Sequence, residues 1–185
     1  MLAFRERSGT KFILMTVSTN PYAYDPRDRE KFYAHLQAEL EAYLSDERDW
    51  LVNLANASAL LHQRLPELTW AGFYLWRGEE LVLGPFQGKP ACTRIKLGRG
   101  VCGTTAKARR TTVVPDVHAF PGHIACDSAS ASEIVVPLLL EGERLLGVLD
   151  LDSPRQARFD AEDARGLEAF AQRLVAGIDW PARLD

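Results

Sequence analysis

Residues 133–153 read EIVVPLLLEGERLLGVLDLDS. Two apolar runs, 133–140 and 144–150, flank Glu141-Gly142-Glu143, a turn-forming tripeptide, so the segment reads as an antiparallel hairpin. At its far end Leu149-Asp150-Leu151-Asp152 alternates strictly. Side chains two apart on a strand share a face, so Asp150 and Asp152 point the same way. Immediately upstream lies a long polar loop, residues 116–130, DVHAFPGHIACDSAS, with Cys126 beside Asp127. Long loops inside compact domains often carry function.

Outward from this hairpin the pattern is regular. Asp25-Pro26 opens a helix whose apolar residues Phe32, Leu36, Leu40 and Tyr43/Leu44 recur every three to four positions. A second helix starts near Arg48, with Leu51, Leu54, Ala55, Ser58, Leu61 and Leu65 as its inward face, and ends before Pro66. WAGFYLW (70–76) and LVLGPF (81–86) form a hairpin around residues 77–80. A short strand at 94–97, a short helix at 101–109 and a strand at 111–114 lead into the loop. Asp160 caps a last helix with Leu167, Phe170, Leu174 and Ile178 on one face. The order α-α-β-β-β-α-β-β-β-α predicts an α+β domain, with N-terminal and C-terminal helices packed on a largely antiparallel sheet. Residues 21–185 are expected to form this single domain. Residues 1–20 show no period and read as a flexible N-terminal arm, with Met15 an alternative start.

Composition narrows the function classes. The chain has 185 residues, 46% hydrophobic and 25% charged, with a net charge of −3. That length suits one core, and the charge offers no footprint for nucleic acid or an anionic membrane. Phe12-Ile13-Leu14-Met15 is too short to span a bilayer, and no secretory leader pattern is evident. A cytoplasmic setting is therefore expected, where a disulfide would be transient. Three cysteines, Cys92, Cys102 and Cys126, leave one thiol over in any single pairing.

Several motifs carry chemistry. Gly98-Arg99-Gly100-Val101-Cys102-Gly103 matches G-x-G-x-x-G. The unit from Arg94 to Val114 is 21 residues long, whereas a dinucleotide site needs about 30. A tight turn exposing helix N-terminal amides is the better reading, able to receive a carboxylate or oxyanion. His118, His123, Cys126 and Asp127 lack the paired-ligand spacing of a metal knuckle, so no metal is expected. Cys102 at a helix start is placed to favour a thiolate. Cys92, in a loop after Lys89-Pro90, is free to approach another thiol. Glu133, Asp150 and Asp152 are candidate proton donors, because crowded, partly buried acids titrate high; alternatively they hold a substrate ammonium. Trp70 and Tyr74 share one strand face with Gly72 between them.

The runs WAGFYLW, KPACTRIKLGRGVCGTTA, DVHAFPGHIACDSASASEIVVPL and GVLDLDS together resemble the free methionine-(R)-sulfoxide reductases, a family built on a GAF-type fold. The similarity spans residues 25 to 180. The resemblance implies that Cys126 is the nucleophile, Cys92 the resolving cysteine, and Cys102 a third cysteine able to pair with Cys126 in some members. It further implies that Glu133, Asp150 and Asp152 are the pocket acids, with Trp70 and Tyr74 its aromatic wall. Free methionine sulfoxide is then the substrate, thioredoxin or an equivalent dithiol the reductant, and no cofactor is bound. The R epimer rests on the resemblance alone, and fold analogy suggests a homodimer through the N-terminal helices. The rival expectation is a non-catalytic GAF-type module sensing a small ligand such as a cyclic nucleotide. The three acids disfavour it, because a phosphate would meet them.

Overall fold

The structure, a computed structural model, describes residues 24–25, 27–122 and 129–184; the proposed arm of residues 1–20 lies outside them. Ten principal elements follow in order: α1 Arg29–Leu44, α2 Trp50–Arg64, β1 Trp70–Trp76, β2 Glu80–Gly88, β3 Arg94–Lys96, α3 Gly100–Ala108, β4 Thr112–Val114, β5 Ser132–Leu140, β6 Arg144–Ser153 and α4 Ala161–Gly177. The strands make one six-stranded sheet, ordered β3-β2-β1-β6-β5-β4. Every neighbouring pair is antiparallel. The α+β architecture read from the element order is therefore the observed one. Among the described residues no helix is long and apolar enough to cross a membrane.

Strand alternation sorts side chains between two layers. Ala71, Phe73 and Leu75 of β1, Ile134, Val136 and Leu138 of β5, and Leu149 and Leu151 of β6 pack with α1, α2 and α4 in the main core. Their neighbours Trp70, Tyr74, Val135 and Val148 face the opposite way, in a second cluster with Val101, Cys102 and Ala106 of α3. The sheet thus has a largely apolar face under three helices. Its other face, under α3, holds the polar groups described below. The β5–β6 turn is made by Glu141 and Gly142, both left-handed at φ 54° and 76°, a pair of conformations that suits the right-handed twist of a hairpin.

Two local expectations change. Asp28, not Asp25, caps α1, its side chain accepting from Lys31 N. Asp25 instead accepts from the backbone and guanidinium of Arg27. In α2 the inward face is Asn53, Leu54, Ala57, Ser58, Leu60 and Leu61. Leu51 is half exposed and Ala55 exposed, because Asn53, Leu54, Ala57 and Ser58 take the buried side of the helix instead. The face is rotated from the expected one.

The α1–α4 contact is anchored by Asp163, which is fully buried. Its carboxylate accepts from Tyr33 Oη at 2.8 Å and from the Asp160 amide at 3.1 Å. It also meets the guanidinium groups of Arg158 and Arg29, both at 3.3 Å. The Arg158 guanidinium lies 4.9 Å from the centroid of the Tyr24 ring. Breaking a buried pair leaves one charge uncompensated, which is costlier than the pair was stabilising. Asp163→Ala is expected to lower stability by about 3–5 kcal/mol, read as a fall in the urea midpoint with unchanged m-value.

Candidate active site

The second face of the sheet places the acids by register. Glu133 pairs with Asp152 across β5–β6, and Val135 with Asp150. Trp70 pairs with Asp152 and Gly72 with Asp150 across β1–β6. The alternation of residues 149–152 therefore delivers both aspartates to one face, and the hairpin register sets Glu133 next to them. Gly72 is required here: a Cβ would run into Phe86 and the Trp70 ring. Its absence lets the Trp70 indole lie flat, stacked on Tyr74 at 5.8 Å and on Phe86 at 5.3 Å between centroids.

Helix α3 closes this face. Gly98 and Gly100 adopt φ of 79° and 60°, and the Gly98 amide bonds the Gly103 carbonyl at 2.7 Å. The glycine motif thus makes the tight turn expected of it. No side chain caps α3 at Arg99, so its first amides keep their partial positive charge toward the site. Trp70, Tyr74, Val101, Cys102, Glu133, Asp150 and Asp152 line one cavity of about 40 Å³. Lys89, Arg99 and Ser130 line it as well. None of these three was given a role from the sequence, although Arg99 lies within the Gly98–Gly103 motif and Lys89 precedes Pro90 in the loop of Cys92. The Ser130 Oγ and Trp70 Nε1 atoms are buried without a hydrogen-bond partner among the described residues.

The electrostatics are those of crowded acids in a dry site. Glu133 and Asp150 are each 6% exposed. Burial pushes the Glu133 carboxyl well above the ordinary carboxylate range, with the negative charges of Asp150 and Asp152 adding to the rise. Burial raises Asp150 too, opposed by hydrogen bonds from Cys102 and Glu133. The two carboxyls are hydrogen-bonded, and the proton belongs to Glu133. Burial likewise raises Tyr74, reinforced by Asp150.

The cysteines divide. Cys92 is disulfide-bonded, and Cys102 is a free, buried thiol. Cys126, with His123 and Asp127, lies outside the described residues. The His118 amide bonds Asp116 Oδ1 at 2.9 Å, and the residue is exposed outside the cavity. Cys102 corrects the expectation of a helix-start thiolate. Burial and the adjoining Asp150 and Glu133 raise its pKa well above that of a free thiol, outweighing the helix terminus. Its Sγ lies 3.2 Å from Asp150 Oδ2 and 3.9 Å from Glu133 Oε1. A soft–hard ligand trio of this kind would fit a divalent ion sterically, since the three donor atoms lie within 4.8 Å of one another.

This geometry agrees with comparisons to known proteins. The GAF domain family model matches residues 28–178. The chain is 50% identical to the free methionine-R-sulfoxide reductase of Escherichia coli K12, over 83% of this chain and 94% of that one. It is 42% identical to the Saccharomyces cerevisiae enzyme of the same name, over 80% and 86%. The crystal structure of free methionine-R-sulfoxide reductase from Neisseria meningitidis in complex with its substrate superposes with a TM-score of 0.78 at 46% identity, covering 83% of this chain and 92% of that one. The fold is that of a GAF domain. The chain belongs to the free methionine-R-sulfoxide reductase family.

A group whose folded-state pKa is raised stabilises the fold least once pH exceeds that pKa. For Glu133 the contribution is full below about pH 4, its ordinary value, and is lost as pH rises through the raised value. Glu133→Gln, neutral at every pH, is expected to flatten this decline. Urea midpoints of both proteins measured from acid to alkaline pH should converge at the acid end and separate toward the alkaline end.

Proposed function

We propose that the protein reduces free L-methionine (R)-S-oxide to L-methionine through thiol chemistry, with Cys126 as nucleophile. The observation that carries this reading is the buried Glu133–Asp150 pair, holding one proton beside the aromatic wall of Trp70 and Tyr74. A sulfoxide accepts a hydrogen bond and needs a proton before its oxygen can leave, and Glu133 is a neutral acid in a dry site. The methyl and methylene groups suit the stacked rings. The ammonium suits Asp150 and Asp152, and the carboxylate suits the uncapped amides of α3 with the Arg99 guanidinium beside them. A methionine sulfoxide within a peptide carries neither terminal charge. A cyclic nucleotide would bring its phosphate against three carboxyls, which disfavours the sensor reading.

In the proposed cycle the Cys126 thiolate attacks the sulfoxide sulfur, and Glu133 protonates the oxygen as the S–O bond breaks. The attack makes a bond between the two sulfurs; the released oxygen then adds to the Cys126 sulfur as that bond breaks, so methionine departs and Cys126 is left as a sulfenic acid, its sulfur oxidised by the two electrons the methionine sulfur gains. Cys92 then attacks that sulfur, forming a disulfide and releasing water. A thioredoxin-type dithiol restores both thiols by exchange. The support for Cys92 as resolving thiol is its disulfide bonding while Cys102 is free.

Two measurements test the assignment. Pre-reduced protein mixed with one equivalent of methionine-R-sulfoxide is expected to release one methionine. Cys126→Ser should lower that single-turnover rate by at least about 10³-fold, whereas Cys92→Ser should keep the first turnover and stall recycling by thioredoxin. Unimpaired release from Cys126→Ser would falsify the nucleophile. Glu133→Gln should slow the same step by about 10²–10⁴-fold, and an unchanged rate would move the proton donor elsewhere.

A further inference from the structure

Cys102 is the group whose role in that cycle is unassigned once Cys92 resolves the sulfenic acid. It is 4% exposed on the first turn of α3 and faces β5 and β6. Its Sγ lies 3.2 Å from Asp150 Oδ2, a thiol-to-carboxylate hydrogen bond. The other carboxylate oxygen, Oδ1, is buried, and donors aside from the Glu133 carboxyl are lacking for it among the described residues. A buried carboxylate oxygen left bare costs free energy unless a ligand satisfies it. The two oxygens of Asp150 are thus differentiated: Oδ2 accepts from Cys102, the Glu133 carboxyl is hydrogen-bonded to the same group, and Oδ1 meets no other donor among the described residues, in a residue that lines the cavity.

We propose that Cys102 is a positioning residue, whose S–H holds Oδ2 of Asp150 and thereby leaves Oδ1 as the oxygen that receives the substrate ammonium. The inference rests on the proposed reductase activity and gives Asp150 and Glu133 different tasks. Asp150 stays ionised to bind, and Glu133 stays protonated to donate. A thiol is suited to the position because it donates only one weak bond and packs as a small apolar group among Val101, Ala106 and Val135. Its raised pKa keeps it in the donating form and makes it a poor attacker. The groups facing Asp150 are Cys102 from α3, Glu133 from β5, Tyr74 from β1 and Asp152 from its own strand, with Arg99 and Lys89 lining the same cavity. Of these, the hydrogen bonds from Cys102 and Glu133 lower the Asp150 pKa. Removing the thiol therefore moves Asp150 toward protonation.

The test compares Cys102→Ala with Cys102→Ser across pH, in single-turnover methionine release and in thioredoxin-coupled turnover. Cys102→Ala is expected to shift the acid limb of the single-turnover profile to higher pH and to raise KM more than it lowers kcat. Cys102→Ser retains a donor and should restore the wild-type limb. Both should turn over repeatedly. A Cys102→Ala protein that releases one methionine and then stalls would make Cys102 a resolving thiol and overturn the proposal. So would an unmoved acid limb, or a serine variant that fails to restore it while melting like wild type. A wild-type protein that releases no methionine defeats the reductase reading instead. The hydrogen bond is then judged without turnover, from the infrared S–H stretch in a Cys92→Ser/Cys126→Ser background. Its frequency should rise on Asp150→Asn, and no change would refute the contact.

Discussion

Two carboxyls forced together in a dry site cannot both ionise, and the rest of this structure is arranged around that constraint. Glu133 is held protonated beside Asp150 because β5 and β6 pair in a fixed register and α3 packs over the face above them. A slip of one residue in that pairing would turn the acids into the helical core and Leu149 and Leu151 into the cavity. The apolar face of the same strands prevents the slip, since Ile134, Val136, Leu149 and Leu151 are all fully or nearly fully buried. Hydrophobic packing on one side of the sheet thereby fixes proton chemistry on the other.

Much of this was legible in the sequence because it is local. Leu149-Asp150-Leu151-Asp152 and Trp70-x-x-x-Tyr74 announce their shared faces through the two-residue period of a strand. The hairpin at residues 133–153 announces its turn. Other features were hidden for a physical reason, being set by packing between distant segments. The inward face of α2 follows from where the sheet lies beneath it, so Leu51 reads as core and is exposed. Cys102 reads as a thiolate from its place at a helix start. Only the meeting of α3 with β5 and β6 reveals the carboxylates that keep it protonated. Arg99 and Ser130 enter the cavity wall through that same docking. The Asp163 cluster joins residues more than a hundred positions apart, and no periodicity marks it.

The GAF scaffold places a cavity between a sheet face and a short helix, a location suited to binding small molecules. In this chain the sheet side of the wall is acidic and aromatic, with Glu133, Asp150 and Asp152 beside Trp70 and Tyr74, while Lys89 and Arg99 line the same cavity. The proposed chemistry draws on both properties: the rings select an apolar thioether skeleton, and the acids supply one proton and one counter-charge. In the proposed cycle the cysteines divide the remaining work, with Cys126 attacking, Cys92 resolving, and Cys102 holding an acid in place. Selection for a free amino acid would then follow from recognition of its two terminal charges.

The most direct measurement is the rate of NADPH oxidation by the purified protein with thioredoxin and thioredoxin reductase, supplied in turn with free methionine-R-sulfoxide, free methionine-S-sulfoxide and a peptide carrying an internal methionine sulfoxide. The account predicts turnover with the free R epimer alone. Equal turnover of the peptide, or none with the free R epimer, would contradict it.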